Sequence, residues 1–385
     1  MIFICNAHVK PMSGPDLENG ALLIGDDGKI AAVGSDLKAP AGAEIIDAGG
    51  RLVTPGCVDA HCHTGLDDEA MRWEGKDFNE KGDCVAPQMR AIDGFWPQDT
   101  AIPKAVAGGV TTVCTGPGSS NVVGGTFIVV KLSGSCVDEM VLKSPAAMKC
   151  AFGENPKNAF GQNQKKMPYT RMGVAALLRE LLFRAKNYME ELDGGKEPKF
   201  DMKLHAMLPV MRGEIPLKCH AHRADDILTA VRIGKEFGVK VTLDHCSGGE
   251  QIVPQLQKAG YPVFIGPTAT FKSKPEVSEK SFTTPGVLSR AGLEVSIITD
   301  APVIAQEDLP LCAGRAVAYG MDEQDAWKAI TLNPAHSLGV DDRIGSLAVG
   351  KDADVVIWTA NPLTAVGGHA YMTLIDGKIV YRENG

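Results

Sequence analysis

Residues 52–63, Leu52-Val-Thr-Pro-Gly-Cys-Val-Asp-Ala-His61-Cys-His63, form an apolar run ending in two histidines one residue apart. In an extended strand, residues i and i+2 point the same way. His61 and His63 therefore project two imidazoles into one space. In a parallel barrel, the C-terminal end of a strand faces the mouth where active sites sit. Imidazole is a good ligand for zinc and related divalent metals.

Three more such signals follow. His220-Ala221-His222 ends the run Leu217-Lys218-Cys219, His245 ends Val241-Thr-Leu-Asp244, and Asp300 ends Val295-Ser-Ile-Ile-Thr299. Burying these groups unpaired is costly, whereas one shared cation satisfies them together. The expected site is one or two divalent ions at His61, His63, His220 and Asp300. Zinc is the first expectation, with iron and manganese open, because imidazole and carboxylate suit all three.

The middle of the chain alternates apolar, β-rich runs (217–222, 241–245, 263–266, 294–300) with helical patterns (224–237, 250–259, 284–292). That alternation predicts βαβ units and a parallel sheet. Spacings of ~20–35 residues favour closure into a barrel. The expected fold is α/β: a (β/α)₈ TIM-like barrel over 53–344. Residues 170–192 read as a long helix inserted over the barrel mouth, and 153–169 as a polar loop. The two ends look different. Asp26-Asp-Gly28-Lys29 and Asp376-Gly377-Lys378 each sit between short apolar runs, a hairpin pattern. Neither end can make a core alone. Residues 1–52 and 345–385 are therefore expected to pair as one small β-sandwich.

The chain has 385 residues, which suits one barrel plus a smaller domain. A net charge of −8 argues against nucleic-acid or anionic-membrane partners. The expected partner is a small-molecule substrate. The ten cysteines are scattered, with no C-x-x-C pair, which suggests a reducing compartment. Neither a signal peptide nor a membrane-length apolar run is visible, so the expectation is a soluble, cytoplasmic protein.

Longer motifs carry a resemblance. They are Gly49-Gly-Arg-Leu-Val-Thr-Pro-Gly-Cys-Val-Asp-Ala-His-Cys-His63, Ala107-Gly-Gly-Val-Thr-Thr-Val113, Asn333-Pro-Ala-His-Ser-Leu-Gly339, and Gly345 through Val356. Together they resemble the amidohydrolase superfamily over nearly the whole chain, in the imidazolonepropionase and prolidase-like branch. The resemblance implies ligands on barrel strands 1, 5, 6 and 8, and a homo-oligomer. Carried over, His61, His63 and His220 match ligands. His245 matches a histidine that binds a second metal or holds the substrate, and Asp300 matches a ligand and general base. Ala147-Met-Lys149-Cys-Ala-Phe-Gly153 resembles the strand whose carboxylated lysine bridges two metals in isoaspartyl dipeptidases and dihydropyrimidinases. Glu154 is the rival bridge, and an ion pair of Lys149 with Glu154 or Asp300 is the structural alternative.

His222, Arg223 and Asn121 are the expected substrate contacts, each with an ordinary hydrogen-bonded or solvated role as its alternative. One departure stands out. Imidazolonepropionases follow the strand-five histidine with Ala-Asp-Glu, whereas here Ala221-His222-Arg223 follows. The expected activity is metal-dependent hydrolysis of a C–N bond in an amide, cyclic amide or peptide-like small molecule. Deamination of an aminated heterocycle is the alternative. A non-catalytic binding subunit is a third reading, which retention of all the strand-end ligands argues against.

Overall fold

A computed structural model describes residues 1–383. Its first five strands are β1 (Ile2–Val9), β2 (Leu17–Ile24), β3 (Ile30–Gly34), β4 (Glu44–Asp47) and β5 (Leu52–Pro55). The next eight are β6 (Cys57–Cys62), β7 (Val110–Thr115), β8 (Val123–Lys131), β9 (Val141–Ala151), β10 (Leu217–Ala221), β11 (Val241–His245), β12 (Val263–Ile265) and β13 (Val295–Ile297). The last three are β14 (Val355–Trp358), β15 (Ala370–Ile375) and β16 (Lys378–Arg382).

Both Asp-Gly turns join antiparallel hairpins, β2–β3 and β15–β16. β14 pairs with β5 and so ties the two ends of the chain together. The terminal strands form one sheet, ordered β16-β15-β14-β5-β1-β2-β3, with β4 also on β1. One continuous sheet thus stands where a two-sheet sandwich was expected. The reason lies in β1, which is long enough to pair with β2 on one side and with β4 and then β5 on the other. Ile4, Leu22, Ile24, Val355, Ile357 and Leu374 gather in a core belonging to this sheet.

β6 to β13 lie side by side in sequence order. Neighbours are parallel from β9 to β13 and between β6 and β7. β8, however, runs antiparallel to both β7 and β9. Eight parallel units were expected, and this one is a hairpin instead. Only residues 116–122 separate β7 from β8, and a parallel crossover needs about a dozen or more. β6 and the segment after β13 meet at the mouth. There the Asp300 N–H donates to the His61 carbonyl (3.2 Å) and the His63 N–H to the Ala301 carbonyl (2.7 Å).

Helices Ala224–Phe237, Val253–Ala259 and Thr284–Arg290 connect the parallel strands where the apolar spacing places them. The long helix is Arg171–Asp193, capped by the Thr170 hydroxyl accepting from the Gly173 N–H at 3.0 Å. It does not cover the mouth as expected. Its apolar stripe (Leu178, Leu181, Leu182) packs with Leu217, Ile227 and Val231 on the outside of the barrel. Residues 154–162, expected as loop, coil into helical turns because Pro156 and Phe160 are buried and anchor them. These turns and residues 267–280 border the mouth instead. All ten cysteines are free. Among the described residues, no helix is long and apolar enough to cross a membrane.

Candidate metal centre

The alternation of β6 sends His61 and His63 inward, and neighbouring elements fix how each ring is turned. The His61 Nδ1–H donates to Asp244 Oδ2 at 2.5 Å. The His63 Nδ1–H donates to the Gly116 carbonyl at 2.7 Å, and the His245 Nδ1–H to the Gly266 carbonyl at 2.7 Å. Both carbonyls belong to glycines with no room for a side chain. A Cβ on Gly116 would meet the Phe127 ring at 2.4 Å, and one on Gly266 the Ile298 carbonyl oxygen at 2.0 Å. With Nδ1 committed, each ring presents the Nε2 lone pair to the interior. His61 Nε2 and His63 Nε2 lie 3.4 and 3.3 Å from Asp300 Oδ1. His245 Nε2 is buried with no hydrogen-bond partner.

β10 adds His220, whose Nδ1 is likewise buried and unpartnered. Its Nε2 faces Asn155 Nδ2 at 3.3 Å and Glu276 Oε1 at 3.5 Å. His222 bonds Ser247 through Nδ1 at 2.8 Å and stacks on His245 with ring centroids 4.7 Å apart. Two sets of donor atoms lie within 4.8 Å of one another: His61, His245 and Asp300, and His220, His222 and His245. Burial holds the imidazoles of His61, His220 and His222 well below their usual pKa, and lowers that of His245. They stand in the neutral, metal-binding form. Orphaned buried nitrogens are rare in folded proteins. Here neutral imidazoles and one carboxylate converge with lone pairs inward, a donor set that fits a divalent cation.

Two lysines sit inside the barrel, in register on β9 and β10. Lys149 Nζ lies 3.1 Å from His61 Nε2. Among the described residues no carboxylate oxygen is within 4.0 Å of it, so the alternative ion pair with Glu154 or Asp300 does not form. Burial lowers its pKa to about 8. Lys218 Nζ donates to the Ala60 carbonyl at 2.8 Å, pairs with Asp244 Oδ2 at 3.0 Å, and lies 4.1 Å from the Phe264 ring centroid. His61 is thus backed by a carboxylate that is itself neutralised by a lysine. His220 repeats the pattern, since Glu276 beside it is held by Lys274 at 2.6 Å and by the Glu154 N–H at 2.9 Å. Asp59 accepts from the His61 N–H (3.1 Å), the Thr299 N–H (3.2 Å) and Gln306 Nε2 (2.6 Å), tying β6 to the segment that carries Asp300.

Of the residues predicted from sequence, His61, His63, Lys149, His220, His222, His245 and Asp300 come together. Asn121 and Arg223 do not. Asn121 Nδ2 is committed to the Glu80 and Asp83 carbonyls, at 2.5 and 2.7 Å, and pins that loop. Arg223 is exposed and clamped on Asp225 at 2.9 and 3.0 Å. Glu154 contributes its backbone N–H. Asp244, Lys218, Glu276 and Asn155 escaped the sequence reading. Lys218 and Asp244 had a visible signal, as charges inside apolar strands. Glu276 and Asn155 lie on connecting segments and had none. A cavity of about 750 Å³ opens over the centre, lined by His63, His220, His222 and Asp300 and by the bordering segments.

A barrel whose strand-end histidines and aspartate converge in this way has a donor set that could hold a divalent cation. Comparison with known proteins gives the chain its family. The amidohydrolase family model matches residues 212–380. The crystal structure of an amidohydrolase from Thermotoga maritima MSB8 is 41% identical, with 100% of both chains covered and a TM-score of 0.95. Amidohydrolase tasK of Hapsidospora irregularis is 29% identical over 90% of this chain, which spans only 38% of that larger protein. A 5-methylthioadenosine/S-adenosylhomocysteine deaminase of Symbiobacterium thermophilum is 26% identical, covering 97% of this chain and 92% of its own length. An imidazolonepropionase of Cupriavidus pinatubonensis is 23% identical, with 91% and 86% covered. The chain belongs to the amidohydrolase superfamily.

Proposed function

We propose that this chain hydrolyses a C–N bond in an amide, cyclic amide or peptide-like small molecule, with divalent metal at the centre. The observation that carries the reading is the ring orientation: Nδ1 of His61, His63 and His245 is committed, and Nε2 is turned inward. His61, His63 and Asp300 would hold one ion, and His220 and His245 a second. Zinc suits neutral imidazole with one carboxylate, and iron or manganese are the alternatives. When bound, such an ion supplies Lewis acidity, polarising the scissile carbonyl and acidifying water.

The chain's own residues do the rest. Asp300 borders the cavity and is the proton carrier. It takes one proton from water as the oxygen adds to the carbonyl carbon, then gives it to the leaving nitrogen as the C–N bond breaks. His222, fixed by Ser247, lines the cavity and contacts the substrate. Lys149 is the candidate bridge between the two ion positions. Reaction of its ammonium with carbon dioxide, with loss of two protons, would convert a buried cation into a carboxylate donor. Deamination of a heterocycle is the second reading, supported by the deaminase relative. A buried amine at the centre, Lys149 beside His61, favours the amide reading.

The test starts from metal-free protein reconstituted with zinc. N-acyl amino acids, dipeptides, hydantoins and aminated heterocycles are screened for turnover. Asp300→Asn should lower kcat by ~10²–10⁴-fold with the circular dichroism spectrum retained. Retention of well under one equivalent of metal, or undiminished turnover in Asp300→Asn, refutes the reading.

A further inference from the structure

The wall of the cavity is charged in the opposite sense to the chain. The sequence has 47 acidic and 39 basic residues, yet the cavity is lined by Lys81, Lys274 and Lys280 against only two acids, Asp67 and Asp300. Neither acid balances Lys81 or Lys280, whereas Lys274 is paired with the buried Glu276 at 2.6 Å. Asp67 is paired with Lys76 at 2.8 Å, and Asp300 is enclosed by the imidazoles of the centre.

Lys280 and Lys81 have no carboxylate oxygen within 4.0 Å among the described residues. The Lys280 ammonium donates only to uncharged acceptors, the Thr270 hydroxyl (2.5 Å) and the Phe271 carbonyl (3.1 Å). Lys272, on the same loop, donates to the Ser278 carbonyl. Partial burial and the nearby Lys272 charge both push the Lys280 pKa down. Two like charges held close without an acid between them repel, and a bound anion relieves that repulsion. Lys274 carries the same wall toward the chemistry. Its Nζ lies 2.8 Å from Asn155 Oδ1, and Asn155 Nδ2 lies 3.3 Å from His220 Nε2.

We propose that Lys81 and Lys280 form an anion subsite, and that the substrate is a small amide bearing a carboxylate a few bonds from the scissile C–N bond. This rests on the hydrolase reading of the same centre. The bordering side chains are short amides and hydroxyls (Asn155, Ser119, Ser273, Thr270), with no arginine among them. Recognition is therefore by point charge rather than by a bidentate clamp. A cavity of about 750 Å³ takes a molecule of dipeptide size, within the range usual for ligand pockets.

The experiment reads binding, so that its failure is separable from a failure of turnover. N-acetyl amino acids and their C-terminal primary amides are titrated calorimetrically into the zinc-reconstituted protein. The expected result is that carboxylates bind about tenfold or more tightly than their matched amides, the size of one charge-assisted hydrogen bond. The ratio should shrink in 0.5 M salt, where the Debye length falls to a few ångströms (about 3 Å at 1 M). Lys280→Met, and Lys81→Met separately, should narrow it further. Equal or absent binding of the two series overturns the proposal, as does a ratio that both variants leave intact. The hydrolase reading stands or falls separately, on metal content and turnover.

Discussion

Replacing Lys218 by Met tests whether the buried charge chain behind His61 is real. The substitution keeps the volume and removes the ammonium. Asp244, fully buried, is then left with His61 Nδ1 and the Thr242 hydroxyl as its remaining side-chain partners. At the observed 3.0 Å, and with an effective dielectric of ~20, the lost attraction is about 5 kcal/mol. Relief of the lysine's own desolvation offsets part of this, leaving ~3–5 kcal/mol for a buried pair with one partner removed. The lost bond to the Ala60 carbonyl adds to the destabilisation. Urea unfolding of the metal-free protein, followed by circular dichroism, measures the loss. The double variant Lys218→Met/Asp244→Asn removes the stranded charge. It should recover part of the stability, with a coupling of ~0.5–3 kcal/mol. A single-variant loss under ~1 kcal/mol, within the range of unremarkable substitutions, refutes the reasoning, as does strict additivity in the double variant.

Other outcomes follow from the same contacts. Glu276→Gln weakens the carboxylate support of His220 (3.5 Å), so zinc retention at the His220–His245 position should fall ~10–100-fold in competition with a chelator. Unchanged retention would assign Glu276 to loop packing alone. At the far end of the barrel, Lys131 on β8 reaches Asp352 (2.8 Å), Asp354 (3.1 Å) and Asp376 (2.5 Å) in the terminal segments, and Arg343 joins Asp352 at 2.6 Å. Burial raises the Asp352 pKa, but hydrogen bonds from Arg343, Lys131 and Lys29 outweigh it and hold the carboxyl well below the usual range. A depressed acid stabilises the fold above its unfolded pKa of about 4 and loses that contribution as pH falls below it. Thermal unfolding of the metal-free protein should therefore drop steeply below about pH 4. Asp352→Asn should flatten that limb, and an identical acid limb in the variant would exclude Asp352 as its source.

The barrel strands and their chemistry were legible because both depend on short-range periodicity. A period of two put His61 and His63 on one face, and it put His220 and His222 on one face of β10 in the same way. A 3.6-residue period marked 224–237, which folds as the helix Ala224–Phe237. The direction of β8 was legible in principle, since the short connection 116–122 excludes a crossover.

Tertiary structure decided what depends on residues meeting across the chain. It chose which nitrogen of each imidazole faces inward, through carbonyls of Gly116 and Gly266 that lie on other elements. It brought Glu276 and Asn155 to His220 from connecting segments with no periodic pattern. It also turned Asn121 and Arg223 to other partners, although both lie beside the expected site in sequence. Sequence alone determined which side chains leave each strand end on a common face, because backbone geometry repeats locally. Which of them find one another, and which loop groups join them, was fixed only when the strands paired and the loops packed.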